Sequence, residues 1–412
     1  MNDNDHMHPS ETPFRGLAPF LRLSIAGADL QPVAQQLLAL AQDNGDDANL
    51  WMNLSLAMQC LGQRDLGMAM QQQALALKRI YHIAATIQPA RFRLLMLMVP
   101  GDLSANTPLE CLLEDGDIDL DCYYVTPGDP LAQPLPEHDA VIVAIGESDD
   151  NHPTLEALEL ALAHWPKPVI NAPLYIRTTE RAVASALLQD VPGLVIPPTL
   201  HASRPVLLEI AAGESSLPEL SGGCDFPIIL RPVGSQAGRD LDRITDPAGI
   251  ALDLARVNAE DFFLSPFIDY SGTDGQFRKF RVALIDGVPY ACHMGVSSHW
   301  MVHYVNAGMY EDAHKREEEA AFMANFDDFA QRHHEALKAI HERTGLDYLC
   351  IDCAETQDGQ LLIFEVDHVM VVHAMDPEEL FPYKQFHMRK VRDAFRDFLF
   401  RRAAEFAATK PS

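Results

Sequence analysis

Three carboxylates near the C-terminal end of the chain, Asp352, Glu365 and Asp367, fall where one β-hairpin would bring them together. Two β-prone runs flank the dipeptide Asp358-Gly359. Asp-Gly favours a two-residue hairpin turn, because such a turn needs positive φ at both central positions. This turn predicts that Asp352 lies opposite Glu365. Glu365 and Asp367 are two residues apart and share one strand face.

Directly opposed carboxylates repel each other unless a positive charge neutralises them, because their Cβ atoms lie about 5 Å apart. A hard divalent cation would do so. Oxygen ligands, with no Cys or His predicted on that face, favour Mg²⁺ over zinc. Phe364 and Val366 flank Glu365 and are apolar, which indicates a largely buried hairpin. We therefore predict a magnesium site; the alternative is three solvated acids in a chain with 59 Asp and Glu residues.

Basic residues cluster in a second predicted strand, Phe277–Ile285, which is followed by the turn dipeptide Asp286-Gly287. Lys279 and Arg281 share one face of this strand. Two cations directed together from a buried strand predict an anionic partner. The alternative is a surface ladder of solvated charges.

A third predicted strand, Ile228–Leu230, delivers Arg231 to a loop that contains Gly234, Ser235 and Gln236. Loops of small residues expose backbone N–H groups, which are able to surround phosphate oxygens. The alternative is a loop that only turns a hairpin.

Taken together, these stretches resemble the ATP-grasp superfamily, in particular the branch of glutathione synthetase and the ribosomal-protein glutamate ligases. The resemblance covers about residues 90–405 and leaves the N-terminal helices outside. The matching stretches, in chain order, are 168–173 leading to Glu180-Arg181, 226–232 with 234–236, 267–287, and Asp352 with 365–367.

The resemblance implies a fold in which two antiparallel sheets hold ATP and a final hairpin holds two Mg²⁺ ions. It implies an ATP-dependent carboxylate–amine ligase, in which a carboxylate is phosphorylated and an amine then displaces the phosphate. The alternative is a non-catalytic nucleotide-binding or adaptor protein that uses its helical N-terminus for protein interaction.

The resemblance also implies roles for single residues. Arg181 and Arg231 stand where the family usually has two lysines that contact the ATP phosphates and the adenine edge. The linker from Leu264 to Phe267 corresponds to the one whose backbone meets adenine. The remaining matches are a phosphate-covering loop (Gly234, Ser235, Gln236), a catalytic arginine that steadies the acyl phosphate (Arg281), a cofactor-side lysine (Lys279) and the metal ligands (Asp352, Glu365, Asp367).

Three departures from the family pattern alter the expected site, and the first of them, the replacement of two lysines by arginine, favours the adaptor alternative. Both lysines are arginines here, which retain the charge but are planar and larger. Lys279 replaces a usual aspartate, and Asp367 replaces a common asparagine. Several histidines and aromatic residues fall near the expected acceptor side, with no role assigned to any single one: His293, His299, Trp300, His303, Tyr304, His368 and His373.

The N-terminal part of the chain has a helical pattern, with breaks at 43–47 and 62–65 and a third helix expected over Leu66–Ile80. Small residues recur at the spacing of one tetratricopeptide unit, in which they let paired helices approach closely. One such unit predicts a docking segment for a partner or another subunit. The alternative is a helical bundle that only packs against the next domain. The residues with this spacing are Trp51, Leu54, Ser55, Gly67 and Ala74.

From Pro89 onward short apolar runs alternate with helical stretches, which predicts a doubly wound, parallel α/β sheet. The expected fold class is therefore α/β and α+β: this domain, then two antiparallel-sheet subdomains, with an N-terminal helical appendage. The predicted divisions are a flexible lead-in (1–28), the tetratricopeptide-like segment (29–88), the α/β domain (89–175), the central ATP-grasp subdomain (176–265) and its C-terminal subdomain (266–412).

Composition narrows the classes of partner. The chain of 412 residues is 48% hydrophobic and 22% charged, with a net charge of −28, which opposes binding to nucleic acid or to an anionic membrane. No apolar run of membrane-spanning length and no signal peptide are visible, so we expect a cytoplasmic protein. Seven scattered cysteines favour reduced thiols. A homodimer is the default expectation for assembly.

Overall fold

A computed structural model describes residues 12–409 except 129, 132–133, 222 and 236–237. The predicted phosphate-loop residue Gln236 therefore lies outside the described residues, as do residues 1–11 of the predicted lead-in. No helix within the described ranges is long and apolar enough to cross a membrane. All seven cysteines are free thiols, as predicted.

The described residues form helices and strands with the following bounds. The α-helices are α1 (Ala18–Ile25), α2 (Gln31–Asp43), α3 (Ala48–Cys60), α4 (Arg64–Leu77), α5 (Leu109–Leu112), α6 (His152–Leu162), α7 (Pro173–Ile176), α8 (Arg181–Leu187), α9 (Arg204–Ala212), α10 (Leu217–Ser221), α11 (Pro247–Arg256), α12 (Ala313–Ala324), α13 (Phe326–Arg332), α14 (His334–Thr344) and α15 (Lys384–Thr409). The strands are β1 (Ile80–Ile83), β2 (Phe92–Met98), β3 (Ile118–Tyr124), β4 (Ala140–Val143), β5 (Val169–Ile170), β6 (Leu194–Val195), β7 (Leu200–Ser203), β8 (Ile228–Pro232), β9 (Asp242–Ile244), β10 (Asp261–Pro266), β11 (Phe277–Ile285), β12 (Val288–Ser297), β13 (Tyr348–Glu355) and β14 (Leu361–Asp367).

The chain divides into two compact units. The first unit contains Met1–Ile176 together with His368–Ser412, and the second contains Arg177–Asp367. The five-part division made from the sequence stays a prediction.

In the first unit, helices α3 and α4 pack closely where the sequence has small residues. Asp47 caps the start of α3 by accepting hydrogen bonds from the backbone N–H groups of Asn49 and Leu50. A Cβ atom at Gly67 of α4 would lie 2.4 Å from the Cγ atom of Gln59 and 3.0 Å from the backbone oxygen of Ser55 on α3. The close approach expected from the small residues is therefore present.

Two stretches of the first unit differ from the sequence prediction. The third helix ends at Leu77 instead of Ile80, and residues 80–83 form β1, because Tyr81 is fully buried and the strand pairs with β3. Residues 18–25 form helix α1 within the predicted lead-in, with Phe20 buried.

The sheet of the first unit has the strand order β1-β3-β2-β4-β5. Strands β3, β2, β4 and β5 are parallel, and β1 adds an antiparallel edge. Most residues of β2 and all of β4 are buried, as expected for parallel strands covered on both faces. This is the parallel α/β sheet predicted from the alternating pattern.

The second unit contains two further sheets. One has the order β7-β10-β8-β9 and is antiparallel throughout. The other has the order β12-β11-β13-β14-β6, in which only the short β6 pairs in parallel, with β14. One mostly parallel sheet and two mainly antiparallel sheets confirm the predicted mixed α/β and α+β class.

Candidate functional site

The predicted carboxylate hairpin is present as β13 and β14. Asp352 pairs directly with Glu365, and Cys350 pairs with Asp367. The three acids therefore occupy one face, as predicted. Cys350 occupies it as well, which corrects the expectation of a face without cysteine. This thiol is fully buried and lies 3.7 Å from the hydroxyl oxygen of Tyr348.

The turn of this hairpin differs from the prediction. Glu355 pairs with Leu361, and Gly359 donates its backbone N–H to the Thr356 oxygen, so the connection is longer than the two-residue turn expected from Asp358-Gly359. A β-bulge between Asp352 and Cys353 then shifts the register by one residue. The bulge restores the Asp352–Glu365 pairing that the two-residue turn would have given.

Asp352 is held by two cations of the neighbouring strand β11. The carboxylate oxygens accept hydrogen bonds from Arg281 Nε at 2.8 Å and Nη2 at 3.1 Å, and Lys279 Nζ lies 2.7 Å from Oδ2. Arg281 lies directly opposite Asp352 in the sheet. The anion predicted for these two cations is therefore present inside the protein.

The electrostatics of Asp352 follow from these contacts. The residue is only 2% exposed, and burial by itself raises the pKa of a carboxyl group. The charges of Arg281 and Lys279 and their hydrogen bonds outweigh burial and hold the pKa of Asp352 well below its ordinary value. Asp352 therefore stays ionised across the physiological range.

Glu365 is paired with a cation from a different element. Arg181, at the start of α8, places Nη2 2.5 Å from Glu365 Oε1, and its Nη1 donates to the Phe364 carbonyl oxygen at 3.2 Å. Each member of the opposed pair Asp352–Glu365 thus has its own cationic partner.

Arg231 completes the cationic side of this cluster. It lies at the end of β8, is 9% exposed, and its pKa is lowered to about 10 by burial and by the charge of Arg181, against an opposite effect of Glu365. Its Nε donates to Ser235 Oγ at 3.3 Å, and Nη2 donates to the Ser235 carbonyl oxygen. Gly234 has φ of +76°, so the backbone turns sharply just before Ser235.

Leu264 and Phe267 are the two ends of the predicted linker, but only Phe267 lies outside a strand. Leu264 lies inside β10, paired with Leu200 on one side and Leu230 on the other, and its side chain is buried in the core. Phe267 follows the strand, and its backbone N–H donates to Pro227 at 2.9 Å. Its ring lies 4.0 Å from the Arg243 guanidinium and 5.8 Å from the Trp300 ring. A role for either residue at adenine stays a prediction.

One histidine lies close to the cluster, which the sequence alone did not distinguish from the others. Burial, and then the charges of Lys279 and Arg281, lower the pKa of His303, while Asp352 and Glu365 act in the opposite direction. Its Nδ1 atom is buried and has no hydrogen-bond partner among the described residues. No sequence motif marked it, because its proximity depends on the path of the loop after β12.

The chemical character of these side chains suits a metal ion. Asp352, Glu365 and Asp367 offer carboxylate oxygens, the ligands that Mg²⁺ prefers. Within the described part of the chain, no group of three or more His, Cys, Asp or Glu residues is already arranged around a metal position. Asp352 and Glu365 are instead paired with cations. Holding a metal here requires those ion pairs to open.

Comparisons with known proteins gave structural matches only. No protein-family model matches the chain, and no curated protein sequence matches it significantly. Among solved structures, the VanG D-Ala:D-Ser ligase of Enterococcus faecalis aligns with 11% identity and a TM-score of 0.43, covering 75% of this chain and 99% of its own. A RimK domain ATP-grasp protein of Sphaerobacter thermophilus aligns with 15% identity and a TM-score of 0.40, over 75% and 99%.

The D-alanine–D-alanine ligase of Bacillus anthracis, solved with ATP, aligns with 14% identity and a TM-score of 0.43, covering 76% of this chain and 99% of its own. Identities and TM-scores are low, so the fold class rests on the strand order and register described above.

Proposed function

We propose that the chain is an ATP-dependent carboxylate–amine ligase of the ATP-grasp type, which forms an amide or peptide bond through an acyl phosphate. One observation carries this proposal. The opposed carboxylates Asp352 and Glu365 are each compensated by cations from other elements, with Lys279 and Arg281 on one and Arg181 on the other. Such paired charges suit a ligand that itself combines negative phosphates with positive metal ions.

In this proposal the cationic side chains of the cluster bind the phosphates of ATP. Arg181 and Arg231 bind phosphate oxygens, and the loop at Gly234 and Ser235 covers them. Asp352 and Glu365, once out of their ion pairs, would hold Mg²⁺ together with Asp367. The metal supplies charge neutralisation at the phosphate oxygens. Arg181 then exchanges one anionic partner, Glu365, for another, the phosphates, so its charge is paired in both states.

The reaction then needs no protein nucleophile. A substrate carboxylate oxygen attacks the γ-phosphorus and ADP leaves. The amine then attacks the carbonyl carbon, phosphate leaves, and the amine loses a proton. Arg281 neutralises negative charge on the acyl phosphate, which is an electrostatic role. The two substrates are small molecules or peptides, and a mass-spectrometric screen for dehydrative coupling products identifies them.

A second candidate is the non-catalytic adaptor. The observation that favours it is that both oxygens of Asp352 are satisfied by Arg281 and Lys279 without a metal. In that case the cluster is a structural ion-pair network, and the helices α2–α4 carry the function by binding a protein partner.

The experiment that separates the two is ADP release from Mg-ATP with a panel of carboxylates and amines. Glu365→Gln preserves shape and removes the charge, and we expect it to lower the rate by about 10²-fold or more, as for loss of one electrostatic group at a reacting centre. Glu355→Gln is the matched control, because Glu355 lies on the same hairpin and is paired with Arg332 at 2.8 Å. It is expected to leave ADP release intact.

The outcome decides between the candidates. ADP release that requires Mg²⁺ and both substrates, and that Glu365→Gln slows by about 10²-fold or more, supports the ligase. Absence of turnover over the whole panel, with a partner protein retained by the wild-type chain and by Glu365→Gln alike, supports the adaptor.

A further inference from the structure

A segment without regular secondary structure, residues 12–15, runs along helix α3 and is held by side chains at the start of that helix. Asp47 Oδ2 accepts a hydrogen bond from the backbone N–H of Thr12 at 3.1 Å. Asn49 Nδ2 donates to the Thr12 carbonyl oxygen at 2.7 Å. Both backbone hydrogen-bonding groups of Thr12 are therefore bound by side chains.

Asn53, one helical turn further along α3, binds the other end of the same segment. Its Nδ2 donates to the Pro13 carbonyl oxygen at 3.0 Å, and its Oδ1 accepts from the backbone N–H of Arg15 at 2.9 Å. Asp47 and Asn53 are separated by about 9 Å along a helix, and three extended residues span about 10 Å. The two lengths match, so the segment follows the helix in a nearly extended form.

The side chains of the segment alternate between an enclosed face and an open one. Phe14 is 8% exposed, and its ring centroid lies 5.1 Å from that of the fully buried Tyr81. Pro13 and Arg15, on either side of Phe14, are exposed. Alternation of this kind is expected for an extended chain. One face therefore carries an aromatic anchor while the other lies in solvent.

This arrangement has the properties of a peptide-binding groove. Four hydrogen bonds join side chains of the helix start to backbone groups, which do not depend on the peptide sequence, and one pocket selects an aromatic side chain. Asn53 is fully buried, and a buried amide is costly unless it is hydrogen-bonded. Its amide therefore requires peptide groups at this place.

The groove is wider than the segment that lies in it. A cavity of about 530 Å³ adjoins residues 12–15 and is walled on its other sides by β1 and the residues after it, by α5 and by β3. Its lining includes Arg15 and Lys78 as well as Glu110 and Glu114, so both signs of charge are present and charge does not select the ligand. The cavity leaves room for side chains larger than those of the segment.

We propose that this groove docks an extended peptide of a partner protein, with an aromatic side chain between two residues that face solvent. Residues 12–15 occupy the groove as an intramolecular competitor. The partner's backbone takes the hydrogen bonds of Asn49 and Asn53, and its aromatic side chain takes the place of Phe14. This inference does not depend on the proposed ligase activity.

A partner protein fits the groove better than a second copy of this chain does. A second copy would offer the same segment, and that segment would compete with an identical one attached at a higher effective concentration. A partner peptide with a side chain that also fills the cavity has contacts that the internal segment lacks. A purely structural segment is the remaining alternative, and it would never give way to an external peptide.

The test measures binding of a peptide with the sequence of residues 12–16, blocked at both ends, to the full chain by calorimetry. Phe14→Ala removes the anchor of the internal competitor. We expect this variant to bind the peptide at least about tenfold more tightly than the wild type, because the apparent affinity rises with the fraction of open grooves. Arg15→Ala is the matched control. Its side chain is exposed and only its backbone N–H is bound, so binding should stay as weak as in the wild type.

Further comparisons test the chemistry of the groove and guard against misfolding. A peptide with alanine in place of phenylalanine should bind Phe14→Ala at least about tenfold more weakly, because the ring is no longer buried. Asn53→Leu, added to Phe14→Ala, keeps a similar volume without hydrogen-bonding groups and should abolish binding. Thr12→Pro leaves the Phe14 ring in place and removes only the N–H that Asp47 accepts, so it should also tighten peptide binding.

Several outcomes would overturn the proposal. They are no peptide binding by Phe14→Ala and Thr12→Pro at millimolar concentrations, equal binding of the two peptides, and binding that Asn53→Leu leaves unchanged. A wild-type chain whose mass in sedimentation rises with concentration, and falls when the peptide is added, would show that a second copy is the occupant. None of these results bears on ADP release, so the proposed ligase stands or fails separately.

Discussion

Asp352 neutralises two cations at once, so removing its charge should lower the free energy of unfolding by a large amount. Asp352→Asn keeps the size of the side chain but leaves Lys279 and Arg281 close together in a buried strand. Removing one member of a buried ion pair typically lowers the free energy of unfolding by about 3–5 kcal/mol. We expect a loss of that size in urea-induced unfolding.

The matched control for this variant is Asp274→Asn. Asp274 also pairs with an arginine of β11, Arg278, at 2.7 Å, but it lies in solvent. Exposed ion pairs contribute little, so the unfolding midpoint of this control should stay close to that of the wild type. Equal shifts for the two variants would contradict the buried network described for Asp352.

The pKa shifts of Asp352 and Glu110 have opposite signs and predict opposite pH dependences. The pKa of Asp352 is lowered on folding, so its contribution to stability is present above its ordinary pKa of 3.8 and is lost as the pH falls below it. The pKa of Glu110 is raised, so the folded chain holds that proton to higher pH, and stability declines as the pH rises above its ordinary 4.5.

A charge-removing variant of Glu110 tests the second of these dependences. Glu110 is 8% exposed, and its Oε2 has no hydrogen-bond partner among the described residues. Glu110→Gln should therefore raise the melting temperature at neutral pH, because the buried charge is removed. It should also flatten the decline between about pH 4.5 and 7. Calorimetric melting at a series of pH values measures both effects. A lower melting temperature at pH 7 would show that the ionised carboxylate is well satisfied.

At the scale of elements, two identical dipeptides show what the sequence could and could not predict. Asp286-Gly287 forms the predicted two-residue turn, with φ of 50° and 77° and Ile285 paired with Val288. Asp358-Gly359 does not, because only Gly359 has positive φ, at 82°. A bulge further down the ladder compensates, so the Asp352–Glu365 pairing was correct although the turn was wrong. Side-chain alternation fixes the register from the buried face, whichever turn closes the hairpin.

Most of the features that the sequence did not predict depend on contacts between elements that are distant along the chain. The strand periodicity of β11 showed that Lys279 and Arg281 share a face, but the partner of both is on β13, and no local pattern sets that register. Strand β1 was missed because its four residues follow a helix and gain their stability by pairing with β3. Leu264 was placed in a linker because its central position in the sheet depends on pairing with two separate segments.

The two turn glycines predict different costs for alanine. Both positions have positive φ, which costs a non-glycine residue about 1–2 kcal/mol. A Cβ atom at Gly287 would lie 2.7 Å from the His341 ring, whereas Gly359 has no atom within 4 Å. Gly287→Ala should therefore destabilise the chain more than Gly359→Ala in urea unfolding. Equal losses would mean that the His341 side chain moves aside without cost.

At the scale of the whole molecule, hydrogen exchange tests which of the two units contains the proposed nucleotide site. Mg-ATP at about 100 times its Kd should stabilise the folded chain by about 2.7 kcal/mol. We expect the slowing of exchange to be largest within Arg177–Asp367, especially in β8, β11 and β14.

A pair of matched variants tests the role of the hairpin carboxylates. Glu365→Gln should lose the slowing of exchange by Mg-ATP, whereas Glu355→Gln, on the same hairpin, should keep it. In the proposed function, Glu365 would leave Arg181 and hold the metal, and Arg181 would bind phosphate, which is why the variant is expected to lose the response. A Glu365→Gln chain that still gains full protection from Mg-ATP would show that nucleotide binding does not use the hairpin carboxylates, and the exchange of ion-pair partners proposed for the cluster would then be wrong.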